Sequence, residues 1–75
     1  MDEFYRKSRL TGREYNVFDT VKILNLTQVA AYMNRDVLPV DIIVGTGKEG
    51  RPILIFYYMR EETKEVYDLW CRHEI

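Results

Sequence analysis

The chain has 75 residues, of which 47% are hydrophobic and 13% aromatic, and its 11 basic and 12 acidic side chains leave a formal net charge of −1. A chain of this length forms one small domain of modest stability. Its aromatic and branched aliphatic content disfavours intrinsic disorder. The near-neutral charge disfavours both a strongly basic nucleic-acid binder and a strongly acidic DNA mimic.

Cys71 and His73, the single cysteine and the single histidine, restrict the metal and redox chemistry of the chain. One cysteine cannot form an internal disulfide, and this pair cannot supply a zinc site with two thiolates or two imidazoles. The sequence therefore predicts no metal, no cofactor and a reducing compartment. The first residues lack the apolar run of a secretory signal. The longest apolar run, Ile53 to Met59, is far shorter than the ~20 residues of a membrane helix, so we expect a soluble intracellular protein without membrane contact.

Residues 1–13 are predicted to form a basic N-terminal arm, ahead of a single α+β domain over residues 14–75. The arm has a net charge of +2, whereas residues 14–59 and 60–75 have net charges of −1 and −2. Its apolar residues follow neither a helical nor a strand period, which predicts an irregular segment. The basic residues of the arm are Arg6, Lys7, Arg9 and Arg13.

A short strand and a helix are predicted next. Val21 and Ile23 alternate with polar neighbours, which is typical of a half-buried strand. Asn25 is a favourable N-cap, and Gln28 three residues later completes a capping-box pattern. The helix is predicted to end before Pro39. Its core face is predicted from helical spacing to consist of Leu26, Val29, Ala30, Met33 and Val37.

Residues 40–59 predict a β-hairpin. Its turn, Gly45 to Gly50, spells G-x-G-x-x-G, which in dinucleotide-binding folds connects a strand to a helix. Here the residues after the motif have the pattern of a strand, so a flexible turn is predicted instead of a nucleotide site. The second strand, Ile53 to Met59, is apolar on both faces and is therefore expected to be central in its sheet.

The last predicted helix begins at about Glu61 and completes an order β-α-β-β-α. We therefore expect an α+β fold in which two helices cover a small antiparallel sheet. Glu61, Glu62 and Glu65 match the positive end of the helix dipole, which explains their spacing better than a metal site does. The face of this helix toward the core is predicted to hold Val66, Leu69, Trp70 and His73.

No catalytic residue is predicted. Cys71 and His73 are two residues apart, and such residues do not face each other on a helix. Ser8 is the single serine and lies in the arm. The sequence offers no plausible general base to activate its hydroxyl. The sequence therefore predicts a protein that is not an enzyme.

Tyrosine is the most informative residue type, because six tyrosines and one tryptophan exceed what so small a domain is expected to bury. Tyrosine, tryptophan and arginine are enriched at the energetic centres of protein interfaces. We therefore expect Tyr32, Arg35 and Tyr58 to contact a larger protein partner or a second copy of the chain. The alternative is that Arg6, Lys7, Arg9 and Arg13 bind the phosphates of a nucleic acid.

The region after residue 20 also holds a set of distinctive runs: Ile23-Leu-Asn-Leu-Thr-Gln28, Tyr32, Pro39-Val-Asp-Ile42, Phe56, Glu62-Thr-Lys-Glu-Val-Tyr-Asp-Leu-Trp70 and Arg72-His-Glu74. This set resembles a group of small hypothetical proteins encoded by phages, plasmids and integrated elements of low-GC Gram-positive bacteria. The resemblance covers residues 21–75 and leaves the arm outside. It implies an accessory protein of a mobile element in the bacterial cytoplasm and supplies no catalytic residues. A glycine is common before the Pro-x-Asp-Ile run in that group, where this chain has Arg35-Asp36-Val37.

Three functional hypotheses follow. The first is a non-catalytic protein-binding module of phage or mobile-element origin that inhibits a host defence nuclease by occlusion, as anti-CRISPR and anti-restriction proteins do. The second is a small nucleic-acid-binding accessory or regulatory protein that uses the basic arm. The third is a structural subunit or homodimer without inhibitory activity.

Overall fold

A computed structural model describes residues 4–75 of the chain and gives an α+β fold, as predicted. In chain order the elements are β1 (Tyr5–Lys7), β2 (Glu14–Asn16), β3 (Thr20–Ile23), α1 (Leu26–Met33), β4 (Asp41–Thr46), β5 (Pro52–Met59) and α2 (Arg60–Cys71). From β3 onwards this order matches the predicted β-α-β-β-α pattern. Neither helix in this part of the chain is long and apolar enough to cross a membrane.

β5 is the central strand of a three-stranded antiparallel sheet with the order β3-β5-β4. Ile23 of β3 and Ile42 of β4 both lie opposite Phe56, one on each side of it. Consecutive side chains of a strand point to opposite faces, and accordingly Tyr58 and Tyr57 belong to different buried clusters. The central position confirms the expectation drawn from an apolar pattern on both faces of this strand.

On one face of the sheet, α1 and α2 cover a cluster that we call the helix-side core. It consists of Ile23, Val29, Tyr32, Phe56, Tyr58 and Val66. The predicted N-cap of α1 is confirmed, because the Asn25 side chain accepts hydrogen bonds from two backbone N–H groups, that of Thr27 at 2.9 Å and that of Gln28 at 3.3 Å. The Gln28 side chain does not complete a capping box and donates instead to the Tyr32 hydroxyl at 2.9 Å.

The predicted core face of α1 is partly wrong, because Leu26, Ala30 and Met33 are exposed while Val29 and Tyr32 are buried. A helix of eight residues has one narrow face toward the sheet. The Tyr32 ring fills this face by packing edge to face on Tyr58, and Gln28 satisfies its hydroxyl.

Each helix is followed, within three residues of its end, by a residue with left-handed backbone conformation. After α1, Asp36 has φ +61°, and the Val37 N–H donates back to the Tyr32 carbonyl at 3.0 Å. After α2, His73 has φ +58°, and the Glu74 N–H donates to the Leu69 carbonyl at 2.9 Å. These bonds are typical of Schellman motifs, in which glycine is the usual left-handed residue. His73 therefore lies beyond α2, exposed, and its predicted place on the core face of that helix is wrong.

The other face of the sheet is covered by the β1–β2 hairpin, and we call the cluster between them the hairpin-side core. It consists of Tyr15, Val40 and Tyr57. The prediction that the arm is irregular is wrong for Tyr5–Lys7, which pair antiparallel with Glu14–Asn16. Gly12, with φ +75°, lies in the turn between the two strands, so the residue that breaks the apolar pattern of the arm is a turn residue.

The glycine-rich segment connects β4 to β5, which confirms the predicted hairpin turn. Gly50 has φ +73°, a conformation that favours glycine. A Cβ atom at Gly47 would lie 2.7 Å from Cγ2 of Ile53, so no larger residue fits there without a shift. Turn geometry and close packing thus account for these two glycines.

Candidate functional site

Two of the three predicted protein contacts are buried. Tyr32 and Tyr58 are both 0% exposed, and their rings meet edge to face with centroids 5.3 Å apart. Their prediction as surface contacts is therefore wrong, since in this fold the apolar area of both rings is used to build the helix-side core. Arg35 is exposed near the end of α1, where it lines a depression of about 550 Å³ together with Glu74. The structure does not bring Arg35 together with an exposed face of either tyrosine.

Three of the four basic residues of the arm lie together. The exposed residues Arg6, Lys7 and Arg9 line a groove of about 610 Å³ along residues 41–44 of β4, which we call the basic groove. Within residues 4–75 none of the three is in an ion pair. Arg13 lies elsewhere and pairs with Glu62 of α2, with Nη2 and Oε2 3.0 Å apart. The predicted set is thus split into three cations that have no ion pair among the described residues and one, Arg13, that is neutralised.

The floor of the basic groove is the outer edge of β4, with which no strand of residues 4–75 pairs. The Ile42 N–H donates to Oδ1 of Asp41 at 3.0 Å and is therefore directed away from β5. In an antiparallel pair, residues that bond across the ladder alternate with residues whose backbone groups point outward. By this alternation the N–H and C=O groups of Val44 also point to the outer edge.

A buried hydrogen-bond network centred on Asp41 holds the hairpin against this edge. Oδ1 of Asp41 accepts from the Ser8 hydroxyl at 3.0 Å, and Oδ2 accepts from the Tyr15 hydroxyl at 2.6 Å. Burial, together with the neighbouring carboxylate, raises the pKa of Tyr15 to about 12. Ser8 is 2% exposed, and its oxygen also accepts from the N–H groups of Leu10 and Thr11. Asp41 and Ser8 therefore position the hairpin, and with it the cations of the basic groove.

An apolar surface at one end of the sheet was missed by the sequence reasoning. Four large aliphatic side chains, between 48% and 67% exposed, form what we call the apolar patch: Leu24, Leu26, Val44 and Leu54. Val44 lies directly opposite Leu54. Leu24, Leu26 and Leu54 also share the lining of a cavity of about 280 Å³.

The patch arises from the unequal lengths of the strands. β4 and β5 have six and eight residues, whereas β3 has four and is followed closely by α1. The end of the β4–β5 hairpin therefore extends past β3, whose pairing with β5 stops at Ile23 opposite Phe56. Helical spacing alone places Leu26 on the apolar face of α1. It does not show which part of that face lies over the sheet, and for this reason the assignment of Leu26 to the core is wrong.

The remaining sequence candidates do not come together. Cys71 is exposed on α2, and His73 lies beyond the end of that helix. A hydrogen bond with Cys71 raises the pKa of the Tyr67 hydroxyl. Within residues 4–75 no group of three or more histidine, cysteine, aspartate or glutamate side chains is arranged to hold a metal ion.

The resemblance to small proteins of phages and mobile elements, described above, rests on residue patterns in residues 21–75 and stays a prediction. Any proposal about function therefore rests on the fold, the basic groove and the apolar patch. Comparison of the chain with protein families, with curated proteins and with solved structures finds no match.

Proposed function

We propose that the protein is a non-catalytic binding module that engages a larger protein partner through the apolar patch. The observation that carries the proposal is the exposure of Leu24, Leu26, Val44 and Leu54 on one side of the sheet end. Clustered exposed apolar side chains mark interaction sites more often than scattered ones do. Covering them removes apolar area from water, which stabilises a complex by about 25 cal/mol per Å² before the costs of association.

In the form that we favour, the partner is a host defence nuclease, and the protein acts by covering a working surface of that nuclease in the bacterial cytoplasm. Anti-CRISPR and anti-restriction proteins act in this way. The small size of the chain supports this form, because occlusion needs a surface and no catalytic group. The resemblance to proteins of phages and mobile elements supports it as well.

The experiment that tests this proposal compares the tagged protein with a Leu26→Gln, Leu54→Thr double variant. Leu38→Gln is the matched control, because Leu38 is exposed but lies outside the apolar patch. Proteins retained from a bacterial lysate are identified, and the retained partner is then tested in a defence-interference assay. We expect the wild type and the control to retain a nuclease and to block defence. We expect the double variant to bind at least about tenfold more weakly, because two interface side chains are lost.

Retention of a partner that is not part of a defence system would overturn the inhibitor form. Equal retention by the double variant would overturn the role of the patch. Light scattering of the purified chain distinguishes a homodimer from a monomer, because a second copy that covers the patch would double the molecular mass. In that case the double variant would be a monomer.

A second candidate, nucleic-acid binding, is favoured by the three cations of the basic groove, which form no ion pair with any of residues 4–75. Affinity for a single strand should fall steeply with salt, with a log–log slope of about −0.7 for each phosphate contacted. Arg6→Gln with Arg9→Gln should abolish the binding. Arg13→Gln should leave it unchanged, because Arg13 is paired with Glu62. Binding that does not depend on salt would exclude this candidate.

A further inference from the structure

We propose that the outer edge of β4 binds an extended segment of a partner protein in which acidic and apolar side chains alternate. The inference rests on the proposed function, because it requires a protein partner, and it assigns to that partner a second contact beside the apolar patch. Three independent features of the β4 edge support it: its backbone groups, its two different faces and the charge of the basic groove.

The backbone of β4 offers hydrogen-bonding groups to an added strand. β4 is the last strand of the sheet on its side, so its outward N–H and C=O groups have no strand partner within residues 4–75. At one end, Asp41 occupies the Ile42 N–H. Further along the strand, the outward groups of Val44 carry no such side-chain cap among the described residues. Extended peptides bind to free edges of this kind by continuing the hydrogen-bond ladder.

The two faces of β4 differ, and this difference sets the pattern of the segment. On the helix side, Ile42 packs against the helix-side core and Val44 is exposed beside Leu54. On the hairpin side, Ile43 packs against the hairpin-side core. Successive side chains of an added strand point to these two faces in turn. One set would therefore contact apolar surface while the other faces the basic groove.

The charge of the basic groove selects acidic residues for the second set. Arg6, Lys7 and Arg9 line it, and they have no carboxylate partner within residues 4–75. Asp41 also lines the groove, but its carboxylate already accepts hydrogen bonds from Ser8, from Tyr15 and from a backbone N–H. Complementary charge of this kind favours an acidic segment and steers its approach.

The same features disfavour two other occupants. A second copy paired antiparallel along β4 would continue the sheet with both hairpins on one face, which brings two basic grooves together and is opposed by like charge. Proteins that bind single-stranded nucleic acid combine a positively charged groove with aromatic rings on which the bases stack. Among the described residues, the groove is lined by aliphatic and charged side chains and by no aromatic ring.

The experiment measures fluorescence anisotropy of a labelled heptapeptide in which glutamate alternates with valine, titrated with the full chain. The control peptide has the same composition, with its glutamates and valines in two separate blocks. We expect the alternating peptide to bind at least about tenfold more tightly, because the control cannot place both residue types on their proper faces. Arg6→Gln with Arg9→Gln should weaken binding by about tenfold, and Arg13→Gln should not change it.

A backbone variant isolates the ladder itself. Val44→Pro removes the outward N–H while leaving the bonds to β5, since proline is tolerated at an edge where its nitrogen faces outward. Binding should be lost in this variant and kept in Val44→Thr. If Val44→Pro does not fold, as checked by circular dichroism, the alternating peptide with N-methylated valines gives the same readout on the wild type. Retained binding of the N-methylated peptide would overturn strand addition.

Equal affinity for the two peptides would also overturn the inference, as would tighter binding of an oligothymidylate probe or dimerisation through β4 in light scattering. If these tests fail while capture of the nuclease still depends on the apolar patch, the proposed peptide site on β4 is wrong and the proposed function is retained. If the alternating peptide binds while capture of the nuclease does not depend on the apolar patch, the proposed function is wrong.

Discussion

The two faces of β5 are covered by different means. On the helix side, Phe56 and Tyr58 pack with residues from two helices of eight and twelve residues. On the hairpin side, Tyr57 packs under a hairpin whose strands have three residues each. That short hairpin is held by the buried carboxylate of Asp41, which accepts hydrogen bonds from two hydroxyl groups of the hairpin, those of Ser8 and Tyr15. One face therefore depends mainly on apolar packing, and the other depends on packing together with a polar network.

The difference teaches how a short element can be held in one position. Apolar packing tolerates small shifts, whereas a buried carboxylate is satisfied only when its donors lie at the proper distance and angle. Tyr15 is the one buried residue in the two strands of the hairpin, so the hydrogen bonds of Ser8 and Tyr15 to Asp41 supplement a small packed area. The cations of the basic groove lie on the same hairpin, and therefore the polar network also fixes the geometry of the candidate site.

The largest expected effect is that of Asp41→Ala. The substitution leaves the hydroxyls of Ser8 and Tyr15 and the Ile42 N–H without their acceptor, and we expect it to lower the free energy of unfolding by about 3 kcal/mol. Urea denaturation followed by circular dichroism measures the change. Asp68→Ala, which removes only the exposed pair with Arg72, should cost about 0.5 kcal/mol or less. Equal losses in both variants would mean that the network does not hold the hairpin.

Tyr15→Phe should have the next largest effect on the free energy of unfolding. It removes the 2.6 Å hydrogen bond to Asp41 and keeps the ring in the hairpin-side core. Because hydrogen bonds to charged groups contribute more than neutral ones, we expect a loss of about 2 kcal/mol in the same urea experiment. The control is Tyr5→Phe, at a hydroxyl on a side chain that is 58% exposed, where the change should stay within about 0.5 kcal/mol. The contrast between the faces would break down if both substitutions had the same small effect.

The pH dependence of stability gives a third test of the hairpin side. Burial raises the pKa of Tyr15 to about 12, above the value of 10.0 that an exposed tyrosine has. The folded state thus holds this proton more tightly than the unfolded state, so its contribution is complete below pH 10 and is lost as the pH rises through about 12. Between about pH 9 and about pH 11 the wild type should lose of the order of 1 kcal/mol more than Tyr15→Phe does. Parallel pH profiles for the two proteins would contradict this assignment.

Sequence patterns were sufficient where a local signal decided the structure. The apolar run Ile53 to Met59 predicted the central strand, and Asn25 predicted the start of α1, because strand periodicity and helix capping act over a few residues. The hairpin at the N-terminus was missed for the opposite reason. It is held by the bond between Ser8 and Asp41, which are 33 positions apart, and no pattern within the arm indicates that partner.

The candidate site shows the same division. The basic residues of the arm were found by composition alone, but only the fold separates Arg13, paired with Glu62, from the three cations of the basic groove. The prediction of Tyr32 and Tyr58 as contacts rests only on the enrichment of tyrosine at interfaces. Their burial depends on how α1 lies over β5, which is a tertiary property. The apolar patch was missed for that reason as well.

The smallest expected effect has the opposite sign and belongs to the helix side. The Tyr58 hydroxyl is buried, and its oxygen has no hydrogen-bond partner within residues 4–75. Tyr58→Phe keeps the edge-to-face contact with Tyr32 and removes this uncompensated polar group, so we expect a gain in the free energy of unfolding of about 1 kcal/mol. Tyr15→Phe is the matched control, because the same single oxygen atom is deleted from the other face. A loss of stability in Tyr58→Phe would show that both faces depend on buried hydrogen bonds, and the contrast between them would then lie in the number of bonds rather than in their presence.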